Sequence, residues 1–379
     1  MALLVPAPQY YEWGSTTALQ SLTGCAPSDS PLAELWFGTH PNGETGIAGS
    51  GTETLTTLVE ADPAGTLGEA TIERFGPRLP FLVKFLAAQR ALSIQVHPDA
   101  AQATRGFDRE EALGIPIDSP RRTYRDRSPK PEILIALSRF EALCGIRPPA
   151  ETVAFFDSLD VRELNAFRWQ LLAGPKGVAA TVGQLLTMAP GDCRHLVGKV
   201  AEAANRPTQR WNAEARCIGV LARQYPADAG VIVAALLNHV VLEPGSAVYL
   251  GAGNVHAYLH GVGLEVLASS DNVVRGGLTS KHIDITELLA IADFTPLVDP
   301  VIERSDDGYL TPAREFQVKR LDLAESERVS VTNVGPTMYV CAEGDAGALR
   351  RGQVVWAPAS TTHQELSGPS TVYVVSVPL

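Results

Sequence analysis

Cysteine is scarce and scattered. The 379-residue chain carries five, Cys25, Cys144, Cys193, Cys217 and Cys341, an odd number with no C-x-x-C spacing. That excludes a disulfide framework and fits reduced thiols in a cytosol. Long apolar runs are missing too: no window approaches the ~18 residues of a membrane span. Met1 to Pro6 has no basic stretch and too short an apolar run for a signal peptide, so a soluble cytoplasmic protein without a membrane partner is expected. Basic charge is in deficit, with 31 Lys and Arg against 42 Asp and Glu and a net charge of −11. A nucleic-acid partner is therefore not expected, although a locally basic pocket can still hold a small anion. What remains is ordinary for a globular protein: 45% hydrophobic and 19% charged residues. The length implies two or three domains, and 33 glycines with 27 prolines imply many turns and a β-rich portion.

Within that background one stretch stands out. From Ala91 to His97, apolar Leu92, Ile94 and Val96 alternate with polar Ser93, Gln95 and His97, the pattern of a strand with one polar face. The preceding run, Leu79 to Ala88, is almost wholly apolar and predicts a strand buried on both faces, with Lys84 inside it. A polar row beside such a strand predicts the lining of a pocket. Ser30, Pro31 and Gly38 frame Leu32 to Phe37 as a helix, Gly43 to Gly51 reads as a loop, and Asp99 to Pro120 as a partly helical surface excursion. Lys130-Pro131-Glu132 leads into a buried strand, Ile133 to Leu137, with Lys130 and Glu132 on one side of its entry. Helical spacing fills 149–228 at Glu151–Leu159, Val178–Met188, His195–Ala204 and Asn212–Tyr225. Strand text is expected again from Gly230, broken by a helix at Ile285–Ala292 capped by Asp284.

Two later blocks match each other. Gly245 precedes His256 by the same interval that separates Gly352 from His363, and each block reads as a short strand, a tight turn and a histidine opening the returning strand. The spacing resembles the second motif of cupins, small jelly-roll β-barrels. The expected fold class is mainly β with an α insertion: two cupin-like jelly-roll β-barrels plus an all-helical domain. The predicted domains are a catalytic barrel from 1–148 and 229–296, a helical insertion at 149–228 and a degenerate barrel at 297–379. In the first barrel Gln95, His97, Glu132 and His256 converge, and two imidazoles, a carboxylate and an amide oxygen suit zinc or a similar divalent ion with an open position. The second barrel offers only His363 and is expected to be metal-free. His40, His195, His239, His260 and His282 read as surface or satisfied core residues.

Gln95-Val96-His97-Pro98 resembles the Q-x-H-P of type I phosphomannose isomerases, zinc aldose–ketose isomerases of the cupin superfamily. Lys130-Pro131-Glu132 matches the end of that family's first signature, and His256 through Lys281 resembles its second. Tyr11 to Gly14 and Ala33 to Trp36 also resemble family text. The resemblance implies one Zn2+ per chain and interconversion of mannose 6-phosphate and fructose 6-phosphate through an enediol, by a monomer acting on a small sugar phosphate. It implies Arg275, Lys130 and Glu265 as catalytic residues, with Lys130, Glu265 and a metal-bound hydroxide as candidate bases, and Lys84, Ser93 and Lys281 as substrate-binding residues. Ser128-Pro129 stands where the family has Asn-His, so a histidine proposed as an acid/base there is missing. Gly276 and Ser280 replace an alanine and a proline. Three other readings compete: an iron cupin doing oxygen chemistry, a non-catalytic sugar-phosphate-binding cupin, and an isomerase preferring another aldose.

Overall fold

The computed structural model describes residues 1–207, 210–306 and 308–379. Residues 208 and 209, within the predicted helical insertion, and 307, within the predicted C-terminal barrel, lie outside the described residues. The chain mixes antiparallel sheets with helices. The elements that position the site are β1 (Ala2–Val5), β2 (Glu34–Phe37), β3 (Phe81–Ala88), β4 (Ile94–Val96), β5 (Glu132–Ala136), β6 (Phe140–Ile146), β7 (Leu237–Leu242), β8 (Ala247–Leu250), β9 (His256–Ala268) and β10 (Val274–Gly277).

Strand β9 is the axis. Its first residues, His256 to His260, pair with β6, and His256 also faces Gln95 on β4. From Gly261 onward it runs between β3 and β5. The change of partners happens at Gly261, whose φ of 132° and close approach to the Phe140 backbone only glycine accepts. One strand thereby feeds two sheet segments, and its two halves carry His256 and Glu265. β3 is buried along its whole length, Lys84 included.

Four local expectations are corrected. Residues 34–37 form β2, not a helix: the open edge of β3 offers this short segment a full row of backbone pairing. Of the strand read over 91–97 only Ile94–Val96 pairs. The glycine-rich stretch read as a loop contains a short strand, Gly46–Ile47, recruited by β1. Strands do not resume at Gly230, because Gly230–Ala234 is a wholly buried helix and pairing restarts at Leu237. A fully buried, β-branched run carries no periodicity that separates the two states.

The helices are α1 (Ala100–Ala112), α2 (Pro149–Leu159), α3 (Pro175–Leu186), α4 (Pro190–Ala204), α5 (Asn212–Gln224), α6 (Gly230–Ala234) and α7 (Ile285–Ile291). Asp284 caps α7 through the Glu287 amide. Helices α2 to α6 share one apolar core with Ile94, Val96, Val274 and Leu278 from the site strands. The C-terminal sheet orders Gln317–Leu323, Ser370–Ser376, Thr337–Ala346 and Val354–Ala357, and its next strand is β1 from the far end of the chain. His363 opens the strand His363–Ser367 as His256 opens β9, but its side chain is exposed.

Candidate metal and sugar-phosphate site

The site is built where β9 crosses β3, β4 and β5. His256, at the start of β9, lies opposite Gln95, and cross-strand neighbours project to one face of a sheet. Glu132 opens β5, and His97 follows β4 directly. Their ligating atoms converge: His97 Nε2 is 3.3 Å and His256 Nε2 3.7 Å from the two oxygens of Glu132, and all three residues are buried.

The protonation states follow from the partners. His97 Nδ1 is 2.9 Å from the Asn272 carbonyl and His256 Nδ1 is 3.0 Å from the Asn254 carbonyl. A carbonyl only accepts, so each Nδ1 carries the proton and each Nε2 presents a lone pair. Burial pushes both imidazoles below their ordinary value, His256 to about 4, so both are neutral near pH 7. His97 Nε2 is completely buried and, among the described residues, has no hydrogen-bond partner. Glu132 is ionised: burial opposes its charge, but the Lys130 ammonium at 3.0 Å outweighs that and holds its carboxyl well below the usual range. Two lone pairs turned onto one carboxylate repel unless a cation sits among them, so the donor set fits a divalent metal. Gln95 lies beside this cluster, opposite His256, and its amide nitrogen donates to the Ser93 hydroxyl at 3.3 Å.

This cluster floors a cavity of about 510 Å³. Gln95, Glu132, His256, Lys130, Glu265, Arg275, Lys84, Ser93 and Lys281 all line it, and His97 lies buried beneath. All ten residues singled out in the sequence are therefore brought together. Toward the mouth, Arg275 and Lys281 also line an adjoining cavity of about 700 Å³ with Arg125. Burial and then Arg125 lower the Arg275 pKa, while burial, Arg275 and Arg125 lower that of Lys281. Among the described residues no carboxylate contributes to either shift. A cluster of cations at a cavity mouth suits an anion.

Deeper in, Lys84 is held between Glu265 at 3.1 Å and Glu34 at 3.5 Å. Burial alone would lower its pKa, but the two carboxylates override that and raise it, so Lys84 is a fixed cation. Burial, against the pull of Lys84, keeps the Glu265 carboxyl above the ordinary range. At the rim, His40 Nδ1 accepts from the Asn42 amide, and its Nε2 lies 3.1 Å from Asp271.

Sequence reasoning singled out neither Arg125, Glu34 nor Asn272 as site residues. Asn272 is fully buried, and its side chain accepts from the amides of Arg125 (2.7 Å) and Asp126 (3.2 Å) and donates to the carbonyls of Asp126 (2.8 Å) and Ser128 (2.9 Å). It clamps the loop bearing Arg125 to the backbone that orients His97. Its place between Asp271 and the strand carrying Arg275 was the available signal.

A family profile for the catalytic domain of type I phosphomannose isomerase matches residues 1–149. Mannose-6-phosphate isomerase of Salmonella typhimurium is 37% identical over 356 residues, spanning 91% of this chain and 90% of that protein. The Escherichia coli K12 enzyme of the same name is 35% identical over the same shares. The crystal structure of a mannose 6-phosphate isomerase bound with zinc and yttrium superposes with a TM-score of 0.92 at 34% identity, covering 100% of both chains. A zinc-bound holo structure gives 0.91 at 33%, covering 100% of this chain and 99% of the other.

Proposed function

The chain belongs to the type I phosphomannose isomerase family, and on that premise we propose that its cavity interconverts mannose 6-phosphate and fructose 6-phosphate with one Zn2+ per chain. The observation that carries this is the buried pair of imidazole lone pairs facing Glu132, next to the cations Arg275 and Lys281 in the same cavity. His97, His256, Glu132 and Gln95 hold the ion. When bound, it supplies a Lewis acid for the sugar's carbonyl and hydroxyl oxygens.

The remaining work belongs to the side chains. Arg275 and Lys281, assisted by Arg125, take the phosphate and so fix the distance from the phosphate to C1 and C2. Lys84 donates to a sugar oxygen as charge grows on it, and Ser93 holds the Gln95 amide in place. Lys130 Nζ and the Glu265 carboxyl are the groups that carry the proton between C2 and C1; a carboxyl raised by burial is matched to proton transfer near neutrality. Pro129 leaves no histidine for that task, and the pair serves without one.

The supporting architecture reads as two cupin-like jelly-roll barrels, the catalytic one from 1–148 and 229–296 around the helical unit 149–228, and a second at 297–379. The twin strand–turn–histidine blocks support it. No helix among the described residues is long and apolar enough to cross a membrane. The net charge of −11 speaks against a nucleic-acid partner, and a monomeric cytoplasmic enzyme acting on a small sugar phosphate is the remainder of the proposal.

Proton NMR of mannose 6-phosphate with the purified protein tests the reading. Fructose 6-phosphate is expected to form, to stop on chelation and to resume when zinc is returned. No conversion by the zinc-loaded protein would transfer the assignment to another aldose or to sugar-phosphate binding alone.

A further inference from the structure

We propose that Glu34 is a positioning residue of the isomerase, one that aims the Lys84 ammonium at the sugar. The inference rests on the isomerase reading and extends it to a side chain that does no chemistry itself.

Strand β2, which the flanking Ser30, Pro31 and Gly38 mark in sequence as a helix, carries the first two residues. In β2, Glu34 and Trp36 are two residues apart and share a face. Trp36 lies directly opposite Lys84 on β3, and Lys84 directly opposite Glu265 on β9. Three neighbouring strands thus present a row of indole, ammonium and carboxylate, with Glu34 on the diagonal, within reach of a long side chain. All four residues are buried and all line the cavity.

Both Glu34 oxygens are committed. Oε2 accepts the Trp36 indole N–H at 2.8 Å, and Oε1 takes the Lys84 ammonium at 3.5 Å. Glu265 takes the ammonium from the other side at 3.1 Å, and the Trp36 ring covers it with its centroid 4.8 Å away. An ammonium has three N–H groups. Two carboxylates occupy two of them, a ring blocks one face, and one N–H is left for the cavity. Without the Glu34 charge, Lys84 has a single anchor and rotates toward Glu265. That removes the donor from the sugar oxygen and also draws Glu265 away from any proton it would carry. Misplacement of a donor that tightens as charge develops costs turnover more than binding.

The test is Glu34→Gln, which keeps the shape and an acceptor for the indole but removes the charge. We expect kcat for mannose 6-phosphate to fall about 10- to 100-fold with KM within about threefold and full zinc content. Glu34→Asp, which keeps the charge on a shorter arm, should recover part of the loss. Parent-like kcat in Glu34→Gln, or a raised KM with unchanged kcat, overturns the proposal. Should Glu34→Gln lose zinc or fail to fold, Trp36→Phe decides: it keeps an aromatic ring on that face of β2, gives up part of the indole's bulk and removes the N–H that holds Glu34. A lowered kcat with normal zinc supports the proposal, and an unchanged kcat overturns it. Failure of the parent enzyme to convert the sugar would count against the isomerase reading instead.

Discussion

At the scale of the residue, the decisive fact is that two imidazoles are held neutral in the interior. His256 has a folded pKa of about 4, depressed by burial, against 6.5 in the unfolded chain. The folded form therefore refuses a proton that the unfolded form accepts. In metal-stripped protein its contribution to stability is complete above about pH 6.5 and is lost as pH falls toward about 4, about 3 kcal/mol in all. Glu132, whose pKa is depressed, acts in the same sense at lower pH. Melting of chelator-treated protein should accordingly fall between pH 7.5 and pH 5, and His256→Gln should lose most of that slope. Equal slopes in the two proteins would reject the assignment. The cluster of His97, Glu132 and His256 was legible in sequence because short-range spacing carries it: His97 shares a strand face with Gln95, Glu132 opens a buried run beside Lys130, and His256 opens the returning strand after a tight turn. Glu34 was not, because its role requires knowing that residues 34–37 form a strand beside β3.

Elements position these residues by being joined, and Asn272 is the joint. It ties the loop at Arg125–Ser128 to the segment between β9 and β10, and its own carbonyl accepts from His97 Nδ1. Asn272→Ala removes the acceptor of the part-buried Arg125 and Asp126 amides and a donor to the Asp126 and Ser128 carbonyls, the latter still bonded by the Ser270 hydroxyl, at about 1–3 kcal/mol for each group that water cannot reach. The expected result is a lower melting temperature together with zinc affinity weakened about 10- to 100-fold, since an outer partner of a ligand has been disturbed. Zinc titration against a competing chelator measures it, and unchanged affinity would confine Asn272 to folding. Element type was legible where periodicity was long, as in α2 to α5, and illegible in short buried runs. Residues 34–37 and 230–234 exchanged identities for that reason: burial on all sides erases the pattern that distinguishes helix from strand.

Across the whole molecule, no unit stands alone. The core under helices α2 to α6 includes Ile94 and Val96, which flank Gln95, and Val274, which precedes Arg275. Gly230 of α6 packs so tightly against Gly277 and Leu278 that a Cβ there would lie 2.4 Å from the Leu278 amide nitrogen. Asp228 accepts from the amides of both Gly230 (2.7 Å) and Thr279 (2.8 Å), fastening the helical unit to the strand and loop of Arg275 and Lys281. Helix melting followed by circular dichroism and zinc release followed with an indicator should therefore share one midpoint. Helices that melt well before zinc leaves would show an independently folding insert.

The sequence by itself determined the cluster of His97, Glu132 and His256, the cavity-lining cations Arg275 and Lys281, the long helices and the paired strand–turn–histidine blocks. Each of these is a pattern of side chains at short range, where backbone geometry alone decides which groups share a face. Only the tertiary structure decided that β1 completes the C-terminal sheet, that β2 is a strand, and that Glu34 and Glu265 close on Lys84 from opposite sides. These are pairings between distant segments. Backbone hydrogen bonding and burial choose them, and a linear pattern carries no record of which edge a strand will meet.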